Sequence, residues 1–345
     1  MPMVETSFEP EYLPYPRHVM IQTTSLCDSG CVMCPWPRVK SRFPQGHMSD
    51  GLYHKIMSEL AQHPEVEQIM PYLMNEPLCD PKIVERIRLA REARPGARIY
   101  IVSNGCRLNP KLSEDLIESG LDWIVFSVHA IEPETYRVVT GRGDFARIRD
   151  GIVDFAKRAR EAGKHPDFVV INITRIRPHV SDEEVERAMR FWRDNGINRI
   201  AYIDGYISRA GTIDVWQHGK PRHRRIAGCK TMWAYIMFHI LYNGDVAPCC
   251  MDWERRVKLG NLHNQTIGEV WNGARRREFL RTLHGVYPLY QGFICAQCED
   301  AVVPKESGSS VGELKYREEE LFGRLEVLGD RARSLKRRIR EALDS

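Results

Sequence analysis

No stretch of this sequence stays apolar for the length a membrane crossing needs, and Met1 to Pro16 lacks the basic flank and apolar core of an export signal. Neither sign of charge dominates. Against 50 Lys and Arg stand 46 Asp and Glu, a net +4, so no polyanion is required as partner and nucleic-acid binding starts weak. These absences predict a soluble cytoplasmic protein with neither membrane nor nucleic acid as partner. Ten cysteines in such a protein point to metal or redox chemistry, because the cytosol keeps thiols reduced. At 345 residues and 43% hydrophobic, the chain is long enough for about two domains and a sizeable core.

A further absence lies behind the densest motif. Cys27, Cys31 and Cys34 crowd three thiols into a short loop after the apolar run His18 to Gln22, with Ser29 and Gly30 loosening the backbone between them. No fourth ligand follows at zinc-finger spacing. The nearest nitrogen ligand downstream is His47, past Pro35, Pro37 and Pro44. Three thiolates without a fourth suit a [4Fe–4S] cluster with one iron left open. This CxxxCxxC loop resembles that of the radical SAM superfamily, and the resemblance implies that the open iron chelates the amino and carboxylate groups of S-adenosylmethionine.

From His18 to about Gly211, short β-rich runs at 18–24, 66–74, 98–103, 122–128, 168–176 and 198–205 alternate with helical stretches at 49–62, 81–93, 110–119, 145–163 and 181–195. Such alternation predicts α/β architecture with a parallel sheet, and six βα units match the partial (β/α)6 TIM barrel of the superfamily. Family-like motifs fall at the strand ends. Met74-Asn75-Glu76-Pro77 resembles the GGEP motif, with Met74 and Asn75 in place of the glycines; Glu76 would meet the amino group of the cofactor. Ser103-Asn104-Gly105 resembles the TNG element and Ser127-Val128-His129-Ala130 the SVDA element, with His129 where Asp is usual. Met33 replaces the aromatic residue expected against the adenine, and Trp36 competes for that role.

Beyond Gly211 the composition turns polar, through His218, Pro221, His223, Arg224 and Arg225. Cys229 then precedes an apolar run from Trp233 to Tyr242 that meets Asn243-Gly244 and returns as Asp245 to Cys250, a strong hairpin signal. A helix over 266–284 follows, with Thr266 and Glu269 as a capping box, and then Cys295 and Cys298. Cys229, Cys249, Cys295 and Cys298 are enough to close a second [4Fe–4S] cluster, in an arrangement resembling the twitch domain, the shortened relative of the SPASM domain. A structural zinc site is the rival, and Cys250 competes with Cys249. No cysteine follows Cys298, so one auxiliary cluster is expected. The predicted organisation is an extension at 1–17, the barrel at 18–211, a linker at 212–228, the twitch domain at 229–304 and a helical tail at 305–345.

The resemblance implies an enzyme in which a 5′-deoxyadenosyl radical takes a hydrogen atom from a small polyol, sugar, aminocyclitol or nucleoside. With an auxiliary cluster nearby, net two-electron oxidation is favoured. This is the logic of aminocyclitol dehydrogenation in antibiotic biosynthesis. A flavodoxin or ferredoxin would donate the electron. Arg209, after the sixth strand, would orient a substrate hydroxyl. Epimerisation, dehydration or decarboxylation of a similar molecule stays open, and for an epimerase Cys79, Cys106 and Cys250 are the candidate hydrogen donors. Peptide modification comes second, because only about 17 residues precede the first strand. A non-catalytic iron–sulfur protein comes third. In the tail, Leu321, Leu325, Leu328, Ala332, Leu335, Ile339 and Ala342 form a stripe suited to a homodimer or to a helix laid along the barrel.

Overall fold

Residues 13–204, 208–214 and 222–304 are described by the computed structural model. The helical tail and the dimer expected through it lie outside these residues, as does most of the N-terminal extension. The predicted strands form in order: β1 (His18–Ile21), β2 (Gln68–Met70), β3 (Arg98–Ser103), β4 (Trp123–Ser127), β5 (Val169–Thr174) and β6 (Arg199–Ile203). Each pairs in parallel with its neighbour in sequence. Strand β2 stops early because Pro71 has no N–H for the ladder.

Helices α1 (Trp36–Val39), α2 (Asp50–Ala61), α3 (Ile83–Ala93), α4 (Pro110–Ile117), α5 (Pro133–Thr140), α6 (Phe145–Glu161) and α7 (Asp182–Asp194) connect these strands. Ser49, Asn109 and Ser181 cap three of them by accepting a main-chain N–H. Sequence analysis missed α5, although Pro133 at its start and Gly141 (φ 72°) at its end are recognised signals. Along β3 and β4 the strand period of two separates the faces. Ile99, Ile101, Ile124 and Phe126 are fully buried, Phe126 against Phe155 of α6, while Tyr100 and Trp123 stay partly open on the other face. Their rings stack at 4.4 Å, and Arg199 lies over Trp123, so an aromatic layer packs the barrel interior.

The second half adds strands to the sheet of the first. It contributes β7 (Gly228–Cys229), α8 (Trp233–Ile236), β8 (Met237–Ile240), β9 (Asp245–Ala247), β10 (Gly260–Asn261), α9 (Ile267–Trp271), α10 (Ala274–Leu283) and β11 (Ala301–Val302). The expected hairpin is β8–β9, turning at Gly244 (φ 80°). Strand β8 also pairs in parallel with β1, so the hairpin extends the barrel sheet to nine strands. The helix predicted over 266–284 is two helices. Gly273 is extended between them, and a Cβ there would meet the Glu269 carbonyl oxygen at 2.8 Å. The Thr266–Glu269 capping box forms as expected. Strands β7 and β11 make a separate antiparallel pair with Cys229 opposite Ala301. Among the described residues no helix is long and apolar enough to cross a membrane.

Candidate active site and thiol cavity

Beyond β1 the chain is held at every turn by the strand ends around it. Gln22 donates its N–H to the Ile240 carbonyl (2.8 Å) and its side-chain amide to the Met74 carbonyl (3.1 Å). The cysteine loop then hangs from main-chain bonds: Glu76 N–H to Leu26 O, Gly30 N–H to Thr140 O and Val32 N–H to Val139 O, each 2.9 Å. Arg142 donates to the Asp28 carbonyl at 2.8 Å, Asn104 to the Asp28 carboxylate (2.8 Å) and the Ser29 hydroxyl (2.9 Å), and Arg107 to the other Asp28 oxygen (3.0 Å). The C-terminal end of α5 is therefore the shelf on which the loop rests. Gly141 abuts it so closely that a Cβ would lie 3.4 Å from Gly30 Cα.

Cys27, Cys31 and Cys34 lie within one another's electrostatic reach, and burial pushes all three thiols up, Cys31 to about 12. Thiols held protonated in this way become thiolates only against a strong positive charge, which a metal centre supplies. Among the described residues no three His, Cys, Asp or Glu side chains converge tightly enough for a single ion. Thiolates of a four-iron cluster each take a different iron and need no such convergence.

Glu76 is 3% exposed and accepts three bonds: from the Ser103 hydroxyl (2.7 Å), Asn104 N–H (2.7 Å) and Leu78 N–H (3.0 Å). Burial raises its carboxyl to about 7 against those bonds. Ser103 thus anchors Glu76, and Asn104 anchors the cysteine loop. Beside them, Asn75 accepts Leu73 N–H at 2.9 Å, while its buried Nδ2 has no partner among the described residues. An unmet donor there suits an acceptor brought by a ligand, which fits the amino-acid end of S-adenosylmethionine. Pro77 follows in a short 3-10 turn. Met33 and Trp36 are nearly buried.

On the interior face, Ser127 stands beside Asn172 at the end of β4. The His129 Nδ1 accepts Thr174 N–H (3.1 Å), which places the ring proton on Nε2, and burial lowers its pKa to about 4. His129 is therefore neutral in the physiological range. Burial and the Tyr72–Tyr100 contact raise the Tyr72 hydroxyl, and both tyrosines feel the Cys250 thiol. Cys250 thus lies within electrostatic reach of this tyrosine pair. Cys106 instead packs its sulfur 3.9 Å from the Ser29 hydroxyl, and Cys79 lies near Asp28 and Arg107. Both flank the cysteine loop.

Cys229, Cys249, Cys295 and Cys298 line one small cavity, partly open to solvent, whose walls include Trp233, Met251 and Ile294. The β7–β11 pair brings Cys229 near Cys298, the hairpin supplies Cys249, and a 3-10 turn (Ile294–Gln297) carries Cys295. Cys250 is not in the wall. Burial raises all four thiols, Cys229 to about 11, although for Cys249 the Cys250 hydrogen bond is the larger cause. Four soft donors around one cavity fit a cluster ligated wholly by protein.

The turn at 208–211 joins the two places. Ala210 lines the four-thiol cavity, while the Arg209 charge favours the Cys34 thiolate and opposes protonation of His129. The radical SAM superfamily model matches residues 21–198, just over half of the sequence. The chain belongs to the radical SAM superfamily. An iron-sulfur cluster-binding domain, SPASM, matches residues 229–299 of this radical SAM enzyme. The two matches bring S-adenosylmethionine and iron–sulfur clusters as cofactors. The S-adenosyl-L-methionine-dependent 2-deoxy-scyllo-inosamine dehydrogenase of Niallia circulans is 21% identical over 288 residues, covering 84% of this chain and 94% of that protein. The crystal structure of BtrN in complex with AdoMet and 2-DOIA matches with TM-score 0.53 at 18% identity, over 83% of this chain and 92% of that one. Streptococcus suis SuiB bound to precursor peptide SuiA matches with TM-score 0.61 at 17% identity, over 83% and 70%. At these identities the solved structures show a shared fold.

Sequence reasoning missed Asp28, Arg142 and Glu299. The Pro133-to-Gly141 helix signal pointed toward Arg142, but Glu299 acts on residues 91 and 90 positions away, beyond any local pattern.

Proposed function

We propose that this radical SAM enzyme carries two [4Fe–4S] clusters and oxidises a small polyol, sugar, aminocyclitol or nucleoside. One observation carries the proposal: a single turn lines the four-thiol cavity with Ala210 and sets the Arg209 charge within electrostatic reach of Cys34 and His129. Cys27, Cys31 and Cys34 hold the first cluster, and Cys229, Cys249, Cys295 and Cys298 the second. When bound, the first cluster with S-adenosylmethionine supplies a hydrogen-abstracting radical, and the second supplies an acceptor for an electron.

The chain binds, orients and excludes water. Glu76 accepts from the cofactor's amino group through a charge-assisted bond, and Asn75 Nδ2 donates to its carboxylate. Met33 and Trp36 pack the adenine. Ser127 meets the ribose or the carboxylate of the cofactor. His129, neutral with its proton on Nε2, donates into the interior. Arg209 orients the hydroxyl that is oxidised. A one-electron donor of the flavodoxin or ferredoxin class completes the system.

The test uses anaerobically reconstituted protein with S-adenosylmethionine, dithionite and a panel of aminocyclitols, sugars and nucleosides. The expected outcome is 5′-deoxyadenosine together with a product lighter by a pair of hydrogens. An isomer of unchanged mass that takes up deuterium from deuterated water would replace oxidation by epimerisation. In that case Cys250, beside the interior tyrosines, is the thiol to replace first.

A further inference from the structure

Glu299 directly follows Cys298, and its carboxylate reaches the strained turn at the barrel mouth. It accepts the main-chain N–H groups of Ser208 (2.8 Å) and Arg209 (3.2 Å) and also the Ser208 hydroxyl. The Ser208 Oγ in turn accepts Gly211 N–H at 3.0 Å, and Ser208 is fully buried. Arg209, Ala210 and Gly211 follow one another with φ of 51°, 50° and 72°. Two successive non-glycine residues in the left-handed region persist only where surrounding contacts over-determine them. Glu299 supplies such contacts. The turn is also pressed onto the Cys295–Cys298 knuckle, since a Cβ on Gly211 would meet Gln297 Cβ at 3.1 Å.

From this grip Arg209 extends toward the Met251 sulfur (3.9 Å), and its Nε is buried without a partner among the described residues. We propose that Glu299 is a positioning residue: it latches Arg209 at the barrel mouth, so that cluster ligation by the neighbouring Cys298 fixes a cation whose charge reaches the first site. The inference rests on the two-site reading above. Ligation of Cys298 restricts its neighbour Glu299, Glu299 restricts the turn, and the turn sets where the guanidinium lies. A cation near a cluster stabilises the electron gained on reduction, because reduction adds negative charge.

The test combines amide hydrogen exchange across 208–211 with the midpoint potential of the first cluster in the reconstituted full chain. That cluster's resonance signal is identified by the change S-adenosylmethionine produces in it. Glu299→Ala should retain its iron, exchange the Ser208 and Arg209 amides roughly tenfold faster or more, and shift the potential to more negative values. Arg209→Gln should shift the potential in the same direction. Glu299→Gln, which keeps one acceptor oxygen, should recover most of the protection and lie closer to the unmodified protein in potential. If Glu299→Ala does not fold, Glu299→Gln combined with Ser208→Ala makes the same comparison. Unchanged exchange, or an unchanged potential where Arg209→Gln moves it, would overturn the latch. A four-thiol cavity that takes up no iron would overturn the two-site reading and the cluster dependence, while faster exchange in Glu299→Ala would still establish the grip on the turn.

Discussion

The three-thiol loop and the four-thiol cavity bury the same chemical group by opposite means. In the loop, the thiols are close in sequence and the surroundings do the holding: the strand β2 end, the C-terminal end of α5 and Arg142 each take a main-chain group. In the cavity, the thiols come from distant segments, and the β7–β11 pair, the β8–β9 hairpin and a 3-10 turn carry them together. The proposed roles rest on this difference. Three protein donors leave a corner for an organic ligand, and four leave none.

The sharpest way to break this contrast is to empty one side at a time. Changing Cys27, Cys31 and Cys34 together to Ala should lower iron from about eight to about four per chain and abolish 5′-deoxyadenosine formation. Persistent cleavage would mean the sides are wrongly assigned. Next comes the choice between adjacent thiols. Cys249→Ala should lose much of the second site's iron while Cys250→Ala keeps it, because only Cys249 lines the cavity; iron and sulfide analysis decides.

A smaller effect belongs to Glu76. Glu76→Gln should weaken S-adenosylmethionine binding roughly tenfold with iron unchanged. Equilibrium dialysis also reads the pH dependence. Because burial raises Glu76 from 4.5 to about 7, affinity in the unmodified protein should fall as pH drops through 7, and the variant should lack this dependence. For stability the sign is opposite. Between 4.5 and about 7 the native state binds more protons than the unfolded one, so the Glu76 contribution is complete at low pH and is lost as pH rises through that window. Urea titrations should find that slope reduced in the variant. The smallest change is Gly141→Ala, which forces φ 72° on alanine and sets its Cβ against Gly30. Thermal melts should record a loss of about 1 kcal/mol.

The sequence revealed the loop far better than its supports. Strand periodicity and the spacing of Cys27, Cys31 and Cys34 are local, so all six barrel strands and the first motif were readable in advance. The hairpin at Asn243-Gly244 was readable for the same reason. Its parallel pairing with β1 was not, because nothing within β8 encodes which free edge it will meet. Ser103 was read as part of a TNG-like element, and the structure adds a bond to Glu76 that only the folded sheet creates. Glu299 had no sequence signal, since its partners Ser208 and Arg209 are neighbours only after the knuckle packs on the turn.

The central claim is that both sites hold four-iron clusters. The most direct test is elemental analysis with Mössbauer spectroscopy of the anaerobically reconstituted chain. About eight irons per chain, all in four-iron clusters, is the expected result. About four irons accompanied by one zinc would contradict it, making the four-thiol cavity a structural metal site and removing the acceptor on which substrate oxidation depends.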